Sequence, residues 1–377
     1  MNFFFNKKIE IILGAGLATG SFTSFRIFGP VGLSELLILL VIFFLLVKYF
    51  KKIFTSPSYL EACTKFYLLF AFFLFLPITT VTTFFLDILL SSPVYIISYI
   101  MGLMLILLLV LAIQDDFDFR IVTITFAVMF ISLNSLALIL FGSDGGARFS
   151  GGADNPNQLL FYGSSLSLLL VIYTKKLQFV FLPLLILIMI KTGSDAYMLS
   201  LFVSVSVFII AKTLMVTRLS YVSSLVLAIP LVLAIIYIGI IVFGKELLIL
   251  WESADEGGTR ISLFTNAIRA SYDSPLFGFG AGSFSGFNSP FEGKEAHNTF
   301  LDFLTQFGFL VPFLMYFLML AFFFSQLRSK QYWVSGFVAS YIVGSLFHFS
   351  GRHFVFWIEL AVFYHSFFYG NFKSEKK

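Results

Sequence analysis

One cysteine, three tryptophans, four histidines and a charged fraction of 12% in 377 residues rule out several common designs. The single Cys63 excludes an intramolecular disulfide and a multi-cysteine metal site, and it reads as inert filler. Charge is too scarce to coat a soluble domain: 59% of residues are hydrophobic, 53 are Phe and the mean hydropathy is +0.97. Such a chain is a polytopic integral membrane protein. No internal repeat is present, no dinucleotide-binding or P-loop glycine signature, and no basic-aromatic patch for nucleic acid. The formal charge of +4 instead follows from topology and contact with anionic headgroups. Behind Lys7-Lys8 no small-residue cleavage site follows the first apolar stretch and another span comes at once, so that stretch is expected to stay as an anchor.

Apolar windows of roughly 17–25 residues predict an all-α fold forming one transmembrane domain over 1–377. About twelve spans are expected, near 9–28, 30–49, 65–85, 93–113, 121–142, 158–174, 177–191, 196–214, 222–243, 301–324, 332–350 and 353–371. Lys and Arg collect on the cytoplasmic side. With the N-terminus inside, inner segments receive Lys7, Lys8, Lys48, Lys51, Lys52, Lys65, Arg120, Lys175, Lys176, Lys212, Arg218, Arg328, Lys330, Lys373, Lys376 and Lys377, 16 of the 24 basic residues. Both termini are then cytoplasmic.

The remaining eight, Arg26, Arg148, Lys191, Lys245, Arg260, Arg269, Lys294 and Arg352, fall on the outer face against that bias. Two outer connections have non-membrane composition: Ser143–Asn157, and Gly244–Phe300, which alone is long enough for a loop subdomain (244–300). Within the latter, Thr259 or Gly258 is placed to cap a helix from Arg260 to about Tyr272, with Ile261, Phe264 and Ile268 on one face. Asp273-Ser-Pro275 stops it. Gly278, Gly280, Gly282 and Gly286 follow, read either as a structural turn or as backbone N–H groups turned toward an anion. His297 comes where the apolar run Phe300–Phe324 re-enters the membrane.

In this order the residues resemble the O-antigen polymerase/ligase superfamily over roughly residues 145–325. The resemblance is carried by Arg148-Phe-Ser-Gly-Gly-Ala-Asp-Asn155-Pro156-Asn157 opening one span and Thr192-Gly193-Ser194 opening another. It continues with Arg260 ahead of Ser274-Pro275-Leu-Phe-Gly278-Phe-Gly280-Ala-Gly282-Ser-Phe284, then His297-Asn298-Thr-Phe-Leu301 and Gly308. It implies a membrane glycosyltransferase of the bacterial inner membrane, active on the periplasmic face, that takes a glycan from undecaprenyl diphosphate without metal, cofactor or nucleotide sugar. It further implies Arg260 near the diphosphate and His297 activating the acceptor hydroxyl. Where many relatives carry arginine after the serine, this chain has Asp195, which leaves that task to Lys191 or Arg148.

The chemistry agrees. A diphosphate leaving group needs its developing charge neutralised, which arginines do with bidentate geometry. An acceptor hydroxyl must lose a proton, which a near-neutral histidine takes. Catalytic roles are therefore expected of His297 and Arg260, and substrate contacts of Arg148, Arg269, Lys191, Asn155, Asn157, Gly280, Gly282, Asn298 and Arg352. Headgroup contact is the competing reading for Arg148 and Arg269. A two-carboxylate mechanism drawn from Asp255, Glu256, Glu292, Glu295 and Asp302 is the weaker chemical alternative. His348 and His353 read as satisfied interfacial histidines, and Glu359, mid-span, as a packing bond. A polymerase joining lipid-linked repeat units is preferred over a ligase transferring to lipid A–core, because the long loop carries few basic residues beyond the diphosphate set. A flippase, which would spread polar residues through the spans, and an assembly subunit are the readings of other classes. A chain-length-regulating copolymerase is a further expected partner.

Overall fold

The computed structural model describes residues 2–23, 26–28, 31–70, 93–115, 117–141, 149–153, 155–216, 257–283 and 294–369, with side chains excepted at 2–6, 67–70, 93, 141, 195, 214–216 and 257–260. Arg148 and the side chains of Arg260 and Asp195 therefore lie outside the described residues, as do the predicted span 222–243 and most of 65–85.

The described chain is an all-α membrane protein of thirteen helices: α1 (Asn2–Gly20), α2 (Leu33–Thr55), α3 (Pro57–Phe70), α4 (Pro93–Gln114), α5 (Phe119–Phe141), α6 (Pro156–Tyr173), α7 (Gln178–Ile190), α8 (Asp195–Val216), α9 (Gly257–Asp273), α10 (Thr299–Phe307), α11 (Leu310–Arg328), α12 (Tyr332–Ser345) and α13 (Phe354–Tyr369). Five segments are long and apolar enough to cross a membrane: Leu33–Thr55, Val94–Gln114, Phe119–Leu140, Ala196–Thr213 and Leu310–Arg328; Gln178–Ile190 and Phe354–Tyr369 are shorter apolar helices.

Two expectations are corrected. The predicted window 301–324 is two helices, α10 and α11, separated at Gly308, whose φ of 71° and extended ψ end α10. The window 9–28 is also not one helix. α1 stops at Gly20, and β1 (Arg26–Phe28) pairs antiparallel with β2 (Val31–Gly32), a ribbon too short to leave a period in the sequence.

Lipid tails match apolar side chains in polarity, so helices in a bilayer associate through close packing and polar contacts. Small residues open the way. A Cβ on Gly14 of α1 would come 2.6 Å from the Val122 carbonyl oxygen of α5, and one on Gly336 of α12 would come 2.5 Å from that of Ser204 of α8. Aromatic rings fill the centre: Tyr99 of α4 packs on Phe303 and Phe307 of α10 and on Trp357 of α13. Glu359 is buried in α13, and the Ser165 hydroxyl of α6 donates to its Oε2 at 3.3 Å, a packing bond within the bundle.

Charged groups gather at two opposite ends. At one, Asp115 accepts hydrogen bonds from Lys52 and Tyr59, and Lys48 stands 3.8 Å away. The other end collects the start of α2, α4, α6, α10 and α13, where Arg26 pairs with Glu35 at 3.5 Å. Asn155 and Asn157 at the start of α6, Asn298 at the start of α10 and Arg352 just ahead of α13 share this second end.

Candidate functional site

α10 is the scaffold. Asn298 caps it, its Oδ1 accepting from the Leu301 N–H at 3.1 Å, and Thr299, Asp302, Phe303, Thr305, Gln306 and Phe307 face inward. Asp302 sits in the first turn, where a carboxylate suits the positive end of the helix dipole. Fully buried, it accepts from the N–H of Ala296 at 2.8 Å and of Asn298 at 3.1 Å. Those two amides flank His297, whose φ of 52° is left-handed, a conformation that costs a non-glycine residue free energy and persists only where its surroundings over-determine it. Asp302 supplies that constraint by gripping the backbone on both sides.

The His297 ring stands half-open, and its Nδ1 faces Glu295 Oε2 at 3.8 Å. Glu295 is mostly covered, its side chain 10% exposed, and its Oε1 accepts from Arg352 Nη1 at 2.7 Å. Burial pushes the Glu295 carboxyl above its usual range, opposed by the Arg352 guanidinium and by Tyr95 of α4. Behind Arg352 lies a buried imidazole pair. Arg352 Nε donates to His353 Nε2 at 3.4 Å, and His348 Nε2 lies 3.0 Å from the same atom. His353 Nε2 is therefore an acceptor, His348 carries its proton on Nε2, and His353 Nδ1 turns its own proton to the Tyr162 hydroxyl at 3.4 Å. Burial first, then nearby positive groups including Arg352, hold both histidines well below the usual imidazole range, so they stay neutral. Thr299 locks this turn to α10: its hydroxyl donates to the His348 carbonyl at 2.6 Å and accepts the Ser350 N–H at 2.9 Å.

The other predicted residues fall as follows. Arg352, Asn298 and His297 meet in one cluster. Asn155 caps α6, accepting the Gln158 N–H at 2.9 Å, and Asn157 Oδ1 accepts from the Ser194 hydroxyl at 2.9 Å, joining the segments that open α6 and α8. Lys191 ends α7 with an exposed side chain, and its carbonyl accepts the Phe149 N–H at 3.3 Å. This second group shares α6 with Tyr162 and so borders the histidine pair. Arg269 is exposed on α9. Arg260 lies in the first turn of α9.

The glycine turn grips the far end of α10, about 10 Å from its start at 1.5 Å per residue. Phe279 N–H donates to Thr305 O and Gly280 N–H to Gln306 O, both at 2.9 Å, and Gly282 N–H donates to Gln306 Oε1 at 2.8 Å. These N–H groups are directed at protein acceptors. Gly278 (φ 65°) and Gly308 (φ 71°) interlock: a Cβ on the first would lie 2.3 Å from the Gln306 carbonyl carbon, and one on the second 2.3 Å from that of Leu276. Gly278→Ala is expected to destabilise the protein by at least about 1–3 kcal/mol through backbone strain alone. Gly344→Ala, whose Cβ would meet nothing closer than Ser200 Oγ at 3.4 Å, should be tolerated. Thermal unfolding in detergent compares the two.

Sequence reasoning gave Glu295 and Asp302 as members of a carboxylate set, with Glu295 the next candidate base after His297, and missed Tyr162, Tyr95 and Gln306. The one local signal was the spacing of Glu295, two residues before His297. Among the described residues, no three His, Cys, Asp or Glu side chains converge to hold a metal ion. The arrangement can take a proton at His297, with a buried carboxylate beside it and a guanidinium behind.

Residues 179–317 match the protein family described as O-antigen ligase. The match runs from α7 into α11 and contains Arg260, Glu295, His297 and Asp302, while Arg352 reaches the cluster from outside it. A search of curated proteins finds no match to the chain.

Proposed function

From the similarity of residues 179–317 to the family described as O-antigen ligase, we propose that the protein is a glycosyltransferase moving a glycan from a polyprenyl diphosphate to the hydroxyl of a second lipid-linked unit. The observation that carries this is the convergence, at one end of the bundle, of the exposed His297 ring with Glu295 and Arg352, held by α10 inside that segment. His297 is the general base, and Arg260 in the first turn of α9 is assigned to the diphosphate, with Arg148, Lys191 and Arg269 as further cationic contacts. Asn155, Asn157, Asn298 and Arg352 shape the surrounding wall, and Gly280 and Gly282 act through the end of α10 that they fasten. The His297 end faces the periplasm, across an inner membrane spanned about twelve times.

The reaction needs no metal: guanidinium groups neutralise the charge that builds on the leaving diphosphate. A ligase that transfers the glycan to lipid A–core is the second reading, favoured by the description of the matched family. Offering purified protein a defined polyprenyl-diphosphate glycan with either acceptor separates them. Elongation of the lipid-linked glycan is expected, and exclusive transfer to lipid A–core would replace the polymerase with the ligase. Topology is tested by cysteine labelling in a Cys63→Ser background: Arg148→Cys, Arg260→Cys and His297→Cys should react from outside, and Lys175→Cys, Lys212→Cys and Lys330→Cys only from inside. Labelling of position 297 solely from the cytoplasm would reverse the orientation.

A further inference from the structure

Glu295 holds its two carboxylate oxygens in different states. Oε1 is engaged by Arg352 at 2.7 Å. Oε2 is shut away from solvent and accepts no hydrogen bond from the described residues, and His297 Nδ1 stands 3.8 Å from it. A buried carboxylate oxygen left without a donor is unfavourable, and the His297 ring, 43% exposed on its side chain, stands beside it. The backbone of His297 is fixed, because Asp302 grips the amides on either side. A small rotation of the imidazole would close the gap.

We propose that Glu295 is the positioning residue of His297, accepting the Nδ1 proton and thereby leaving Nε2 bare toward the acceptor hydroxyl, with Arg352 fixing the carboxylate from behind. This rests on His297 being the base, as proposed above. In the transfer step the acceptor oxygen bonds to the anomeric carbon as its proton passes to Nε2. The bond from that carbon to the diphosphate oxygen breaks, and its electron pair leaves with the diphosphate. Glu295 keeps its negative charge throughout and stabilises the imidazolium that forms, which then releases its proton to water. Among the described residues, the charged and titratable groups around this pair are Arg352 and His348 from the α12–α13 turn, Tyr95 from α4 and Asp302 from α10.

The test is Glu295→Gln in the full-length protein, which keeps the shape and an oxygen for Arg352 but removes the charge. kcat is expected to fall on the order of 10²-fold or more, the effect of losing the carboxylate that orients a catalytic histidine, with KM for the donor little changed. The acid limb of the kcat profile should move to lower pH, since the imidazole has lost a neighbouring negative charge. Carbethoxylation of position 297 by diethyl pyrocarbonate, followed by mass spectrometry across pH, should show the same displacement without substrate, so an inactive variant is still informative. Wild-type kcat with both profiles unmoved would overturn the proposal and leave Glu295 as a counterion of Arg352. Should Glu295→Gln fail to fold, Glu295→Asp, whose shorter arm draws the carboxylate back, is expected to lower kcat and shift both profiles partway; unmoved profiles there overturn it equally. His297→Ala separates the two levels: full activity in that variant removes the base itself, whereas an inert His297→Ala beside a normal Glu295→Gln removes only the dyad.

Discussion

His297→Ala should abolish glycan transfer while leaving the fold and donor binding close to wild type. The ring is half-exposed, and the backbone around it is held by Asp302 rather than by the imidazole. What the substitution removes is an interaction that matters as the acceptor proton departs, so kcat should fall by roughly 10²–10⁴-fold with KM little changed. His297→Gln should fail too, since an amide keeps a hydrogen bond but takes no proton. In the wild type, activity should drop as pH falls through the imidazole range, because a protonated ring is no base. That limb does not belong to His348 or His353, which burial and nearby positive charge keep neutral well below it. Near wild-type turnover in His297→Gln would make His297 a positioning group and pass the base to a neighbouring carboxylate.

Arg260→Lys should lose most of the activity although the charge is retained. An ammonium does not reproduce the planar fork that grips two diphosphate oxygens at once. α9 begins at Gly257, so Arg260 stands in its first turn, at the positive end of the helix dipole. Arg269 is nine residues further along the same helix, about 13 Å away at 1.5 Å per residue, and exposed. Arg269→Lys should therefore matter much less. Comparable turnover of wild type and Arg260→Lys at matched protein level would contradict a bidentate role.

Local features were legible because local physics sets them. The spacing of Ile261, Phe264 and Ile268 and the stop at Asp273-Ser-Pro275 predict a helix over 260–272, and α9 runs Gly257–Asp273. Asn155 ahead of Pro156 reads as a helix start, and Asn155 does cap α6. The break at Gly308 was not legible, since the apolar run continues across it and the glycine acts through contact with Leu276, thirty-two residues earlier. Pairings across the fold leave even less trace. Glu295 meets Arg352 across 57 positions, and His353 meets Tyr162 across 191, so no periodicity reports either. The glycine run illustrates the same limit: its composition allowed a turn or an anion cradle, and the acceptors its N–H groups use lie on α10, which composition cannot show.

Purified protein in lipid nanodiscs, given a defined polyprenyl-diphosphate glycan in the presence of EDTA, tests the central claim most directly. Release of polyprenyl diphosphate in step with glycan transfer, by the wild type and not by His297→Ala, is the predicted result. An unchanged donor under conditions where the same protein in sealed vesicles carries it across the bilayer, or turnover that returns only on adding Mg²⁺ or Mn²⁺, would contradict it.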